Sequence, residues 1–282
     1  MAMIANYHTH TLLCGHASGM VEDYVFEAIR QGFEEIGISD HGPIPYEFMS
    51  LEDYYANEIN RQMNMPLFND IYLPGLENAI KKYGHLIKIL KAVEIEYLSG
   101  HEEFYRSLLL RLDYLSLGVH YFKAADKIYN SYFPMSGERI IQYAEAVSEA
   151  LSTGYFTILN HPDLYLMSYR DGDGMSRFDE AAAKAARIII EAAIRNHVYL
   201  EINGGGPRRG RFTIEGKTEY LYPRSEFWKL VEEYPDAKVI IGSDSHNPAD
   251  LYDSVIKDVE IFAKAFKFRI IDKIEIKSHP VR

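Results

Sequence analysis

His8 and His10 flank a single residue in Tyr7-His8-Thr9-His10-Thr11, and His16 follows in Cys14-Gly15-His16-Ala17-Ser18-Gly19. Imidazoles two residues apart on an extended chain project to the same side, so the pair is able to grip one cation. Other candidates recur along the chain: His41 after Ser39-Asp40, His120 closing Gly118-Val119-His120, His161 opening His161-Pro162-Asp163, and Asp244 with His246 in Ser243-Asp244-Ser245-His246. Glu94 and Glu96 share one face of a strand-like run. Mixed imidazole and carboxylate donors suit zinc, manganese or iron(II), whereas calcium prefers oxygen alone. His8, His10, His16, His41, Glu96, His120, His161, Asp244 and His246 are too many donors for one ion. They imply a polynuclear centre in which a carboxylate such as Glu96 bridges; Glu94 is set aside as an outer partner or an ordinary strand carboxylate. Centres of this kind generate hydroxide near neutral pH and clamp the oxygens of an in-line displacement at phosphorus. His85, His101, His197 and His279 fall in or beside helices or in the tail and are read as ordinary residues.

The elements that must position these donors are short apolar runs. Strand patterns begin at Met3 and occupy 35–39, 88–97, 114–120, 155–160, 198–203 and 238–242, alternating with helical patterns such as Met20–Gln31 and Gly137–Thr153. Ile158-Leu159 and Val239-Ile240-Ile241 are apolar on successive residues, as strands of a parallel sheet covered on both faces should be. The segment from Pro43 to about Asn69 is rich in aromatic, Met and acidic residues with weak periodicity, and reads as a long loop with short helical pieces walling a site. Phe122–Met135 reads as an irregular insert and Ile270–Ile276 as a short β-like tail. The expectation is a single α/β domain over residues 1–282. The candidate donors then lie at or just beyond the C-terminal ends of successive strands. In a closed parallel barrel those ends share one mouth.

Composition narrows the function classes. Of 282 residues, 30 are basic and 41 acidic, a net charge of −11 that disfavours broad contact with nucleic acid or anionic membrane. Cys14 is the one cysteine, which excludes an intramolecular disulfide and fits a reducing compartment. The N-terminus carries no basic region followed by a long apolar stretch, and no run is apolar enough to span a bilayer, so the expected location is the cytoplasm.

Taken in order, His8-Thr9-His10-Thr11, Cys14 to Gly19, Ser39-Asp40-His41, Glu94-Ile95-Glu96, Gly118-Val119-His120, His161-Pro162-Asp163 and Ser243-Asp244-Ser245-His246 resemble the PHP (polymerase and histidinol phosphatase) superfamily. The likeness spans nearly the whole chain and is most like the superfamily's histidinol-phosphate phosphatases. It implies a distorted seven-stranded (β/α) TIM-like barrel with three divalent metal ions. It assigns His8, His10, Glu96 and Asp244 to one ion, Glu96, His120 and His161 to a second, and His16, His41 and His246 to a third. It also implies an arginine for the substrate phosphate, placed at Arg208, with Arg209, Arg211 and Arg170 as alternatives. Asn6 departs from the pattern, standing where many members are acidic. The resulting expectation is a phosphomonoesterase that hydrolyses L-histidinol phosphate, in histidine biosynthesis, by attack of a metal-bound hydroxide. The general acid is unassigned, and residues of Pro43–Tyr55 are expected to recognise the substrate's imidazole and amine. Two other readings remain open: a PHP phosphodiesterase or nuclease, which the acidic balance disfavours, and a metal-storing or regulatory protein with a degenerate site, which the full donor set disfavours.

Overall fold

The apolar runs form seven strands: β1 (Ala5–Asn6), β2 (Glu35–Ile38), β3 (Lys88–Ile95), β4 (Tyr114–Leu117), β5 (Phe156–Leu159), β6 (Tyr199–Asn203) and β7 (Lys238–Gly242). They line up in chain order in one sheet, each parallel to its neighbours. The structure is a computed structural model and describes residues 3–125, 127–169, 177–214 and 216–276. After each strand comes a covering helix: α1 (Val21–Gln31), α2 (Leu73–Tyr83), α3 (Glu102–Leu109), α4 (Gly137–Ser152), α5 (Glu180–Arg195), α6 (Ser225–Val231) and α7 (Ser254–Ala263). The helices start and stop where capping chemistry dictates. Ser136 and Asp179 accept N–H bonds from Arg139 and Ala182 at the heads of α4 and α5. Gly32 ends α1 with φ of 82°, a left-handed cap that glycine adopts without steric penalty.

The sheet curls until β7 meets the end of β1. His10 N–H donates to Ser245 O at 2.9 Å, and Thr9 and Ser245 form a parallel bridge. Asn6 fastens this seam from inside. Its Oδ1 accepts from Ser243 N–H at 2.8 Å, while its Nδ2 donates to His8 O at 3.2 Å. A carboxylate there would lack the donor, so the departure at Asn6 has a structural cause.

The barrel interior is a small cluster of Ala5, Tyr7, Leu90, Ala92, Tyr114, Ile158, Tyr199, Ile240 and Ile274. Ile274 comes from the tail, which plugs the end opposite the mouth. The tail is not a regular strand: Ile270 bridges Val239, and Ile274 N–H donates to Tyr7 Oη. The larger core lies between the outer face of the sheet and the helices. Residues 46–72 form short helical turns, as their weak periodicity predicts. The insert after β4 is more ordered than its sequence suggests: Tyr121–Ala124 pairs with Lys127–Asn130 as an antiparallel hairpin. Among the described residues, no helix is long and apolar enough to cross a membrane.

Candidate metal centre

Strand ends on β1, β2, β3, β4, β5 and β7 converge on one carboxylate, that of Glu94, which is 1% exposed. Its Oε2 stands 3.3 Å from His8 Nε2, 3.5 Å from His10 Nε2 and 3.4 Å from His41 Nδ1. Its Oε1 stands 2.9 Å from His161 Nε2 and 3.7 Å from His120 Nε2. Asp244 faces the same space, its Oδ1 3.0 Å from His10 Nε2 and 3.5 Å from His8 Nε2. Toward solvent, His16 and His246 sit with ring centroids 5.0 Å apart, and His16 is 5.2 Å from His41. All eight histidine and aspartate candidates are therefore gathered at the mouth.

The carboxylate read as the bridge is corrected. Glu96 lies beyond the end of β3, and its Oε1 accepts from His120 Nδ1 at 2.8 Å, so it orients an imidazole from behind. Glu94, one pleat earlier, occupies the centre. Space for it is kept by Gly118, where a Cβ would lie 2.4 Å from Glu94 Oε1. Asn160 Nδ2 holds the same oxygen at 3.0 Å. Two of the candidate donors carry backbone strain: φ is +33° at His161 and +48° at Asp244. Strain of this kind persists where the surrounding structure over-determines a functional geometry. Two further buried carboxylates carry no signal in the histidine spacing: Asp40, which accepts from Thr11 Oγ1 and His41 N–H, and Glu201, in the fully buried strand Tyr199–Asn203.

The chemistry of this set fits divalent metal. Glu94 Oε2 is buried with no hydrogen-bond partner, although three imidazole nitrogens surround it. A buried anionic oxygen left in that state is costly, and a cation among those nitrogens would satisfy it. The donor groups His8, His10 and Glu94, His41, Glu94 and His120, and His10, His41 and His246 each present their atoms within 4.8 Å of one another. Burial disfavours charge on His41 and His246, and with the charge of His10 it pulls His246 down to about 3 and His41 well below its ordinary value. These rings stay neutral, as ligands must.

His8 and His10 behave oppositely. Burial opposes their charge, but Glu201, Glu94 and Asp244 raise His8 well above its ordinary value, and Asp244 with Asp40 raises His10 to about 9. At neutral pH the metal-free site therefore holds protons that an incoming ion must displace. Calorimetric titration of metal into chelator-stripped protein, in buffers of differing ionisation enthalpy, should show net proton release, with affinity climbing as pH approaches 9. The His10 proton stabilises the metal-free fold fully below its ordinary pKa of 6.5, and this contribution is lost as pH rises through about 9. Metal uptake without proton release would contradict this electrostatic arrangement.

The candidate arginines stand in different surroundings. Arg208 is engaged with the segment before α7, its guanidinium bonded to Asp253 at 2.8 and 3.2 Å and to Asp250 O at 2.8 Å. Arg211 Nη2 donates to Tyr220 Oη at 3.0 Å on an outer hairpin. Arg170 lies outside the described residues. Arg209 is the arginine beside the cluster: its Nε donates to Tyr222 Oη at 3.2 Å, and its guanidinium lies 5.5 Å from the centre of the Tyr132 ring. Tyr132 stacks on His120 and Tyr222 meets His161 edge-on, with centroids 5.8 and 6.3 Å apart. A cavity of about 520 Å³ opens next to the donors, lined by His16, His41, His120, Asn57, Glu58 and Tyr132 among others. Its outer wall is thus residues 56–62 with the hairpin after β4, slightly later in the chain than the expected Pro43–Tyr55.

Fold and site together define a parallel barrel protein that gathers imidazoles and carboxylates at its mouth to hold divalent metal. The sequence profile of the PHP domain matches residues 6–205, and the chain belongs to that family. A protein of Schizosaccharomyces pombe named "Probable histidinol-phosphatase" is 27% identical over 260 residues, 86% of this chain and 80% of that one. A namesake from Deinococcus radiodurans is 21% identical, covering 89% of each. The crystal structure of histidinol phosphate phosphatase from Lactococcus lactis, complexed with zinc, L-histidinol and phosphate, has the same fold. Its TM-score is 0.68 at 18% identity, over 98% of this chain and 100% of that one. The profile match ends before Asp244 and His246, which the barrel closure brings to the same mouth.

Proposed function

We propose that this chain is a metal-dependent phosphomonoesterase whose substrate is L-histidinol phosphate, with residues 1–282 acting as one catalytic domain. The observation that carries the reading is the buried, unpartnered oxygen of Glu94 ringed by imidazoles. The names of relatives over most of the chain, and the ligands of the Lactococcus lactis enzyme, support the choice of ester. Three ions fit the donor count: one for His8, His10, Glu94 and Asp244, one for Glu94, His120 and His161, and one for His16, His41 and His246. When bound, such ions supply a nucleophile at neutral pH and neutralise charge gathering on phosphate oxygens.

The chain's own residues then do the following. Glu94 shares its two oxygens between neighbouring donor groups and fixes their separation. Glu96 holds His120 by its Nδ1–H, so Nε2 faces the centre. Arg209 offers a planar, permanently charged fork to the phosphate oxygens. The cavity between residues 56–62 and the hairpin after β4 receives the organic half of the ester and shields it from water.

The test is a comparison of substrates on purified, manganese- or zinc-loaded protein: histidinol phosphate, p-nitrophenyl phosphate and single-stranded DNA. Phosphate release should be fastest from histidinol phosphate and should stop on chelation. Preferential cleavage of DNA, or no phosphate release from either ester, would overturn the reading.

A further inference from the structure

Glu201 has no place in the ligand set, yet it is a carboxylate built into the barrel behind that set. It lies in the middle of β6 and is 1% exposed. Its Oε1 is 2.8 Å from His8 Nδ1. Its Oε2 accepts from His161 N–H at 3.1 Å and from Asn203 Nδ2 at 2.8 Å. Both oxygens are therefore engaged, and they engage two different donor groups: His8 belongs with His10 and Asp244, His161 with His120. The backbone that Glu201 holds at His161 is the strained one, at φ +33°. Room for the carboxylate exists only because β7 ends in glycine: a Cβ on Gly242 would lie 1.7 Å from Glu201 Oε1. The chain thus keeps a side-chain-sized space on one strand so that a buried carboxylate on the next can reach two others.

We propose that Glu201 is a positioning residue that sets both donor groups at once. Through one oxygen it fixes His8 as the tautomer with Nδ1–H, leaving Nε2 as the lone pair that faces Glu94 and Asp244. Through the other it pins the His161 backbone, which aims that imidazole at Glu94. Outer partners that fix a ligand's tautomer are worth about 10–100-fold in metal affinity. Here one carboxylate serves two ligands, so its loss should disturb more than one ion. Glutamine cannot replace it, because both oxygens accept and an amide has only one. Whichever way the amide is turned, an NH₂ faces either His8 Nδ1, forcing the wrong tautomer, or the His161 N–H.

The inference rests on the metal reading above, and the experiment separates the two. Chelator-stripped full-length wild type, Glu201→Gln and Gly242→Ala are titrated with cobalt(II), following its visible spectrum and the number of ions bound. Wild type should bind with saturating spectral change. Glu201→Gln should bind about 10–100-fold more weakly and with an altered spectrum. Gly242→Ala, which keeps the carboxylate's charge and displaces it, should show the same spectral change. Wild-type affinity, stoichiometry and spectrum in both variants would overturn the role of Glu201 alone. Failure of wild type itself to take up cobalt would overturn the metal reading and this inference with it.

Discussion

Glu94→Gln is expected to lower kcat/KM for a phosphate ester by about 10³-fold or more, while Glu96→Gln lowers it by only about 10–100-fold. The two residues share a strand face and a chemistry, and differ in what surrounds them. Glu94 oxygens stand at 2.9–3.7 Å from five imidazole nitrogens, on His8, His10, His41, His120 and His161. An amide there removes the shared negative charge and turns an NH₂ toward nitrogens that need their lone pairs for metal. Loss of bound metal should accompany loss of turnover. Glu96 touches the set only through His120 Nδ1, at 2.8 Å. Its amide still accepts that bond, so the imidazole keeps its orientation and loses only some basicity. Steady-state kinetics with metal analysis of both variants gives the answer. An inactive Glu96→Gln beside an active Glu94→Gln would restore the bridge to Glu96.

The two glutamates show what the sequence holds and what it does not. Alternation with period two puts Glu94 and Glu96 on the same face, but says nothing of height along the barrel axis, where they differ by about 7 Å. Height is set by the register of β3 against β2 and β4, and the bridge between His41 and Glu94 makes that register visible. The histidines are more legible: apart from His16, which follows in a loop, they stand at or just beyond strand ends that apolar runs such as Val239-Ile240-Ile241 reveal. Arg208 and Arg209 are neighbours in a loop whose path no pattern encodes; what sets their surroundings apart is Asp253, a helix cap 45 residues away that bonds Arg208. Glu201 did leave a signal, a lone carboxylate in the fully buried run Tyr199–Asn203, which demands a partner.

Arg209→Ala is expected to cost about 10²–10³-fold in kcat/KM, whereas Arg208→Ala should leave kinetics nearly unchanged and cost stability instead. Arg209 sits against Tyr222 and Tyr132, the two rings that contact His161 and His120. Burial opposes its charge, but Tyr222, Tyr132 and Asp244 hold the guanidinium pKa above its ordinary value, so the fork is charged at any working pH. Its binding energy should grow as charge builds on the transferred phosphate, so kcat should fall as well as KM rise. Arg209→Lys should recover only part of the loss, because an ammonium has no planar fork. Arg208 instead closes the β6 loop onto the first turn of α7, pairing with Asp253 while 22% exposed. Breaking that pair should destabilise the fold by about 1–2 kcal/mol, a melting-temperature drop of a few degrees. Kinetic and melting data on the single variants decide between them. If Arg208→Ala loses turnover at unchanged stability while Arg209→Ala does not, the phosphate is held by the other arginine, and the loop must open away from Asp253 when substrate binds.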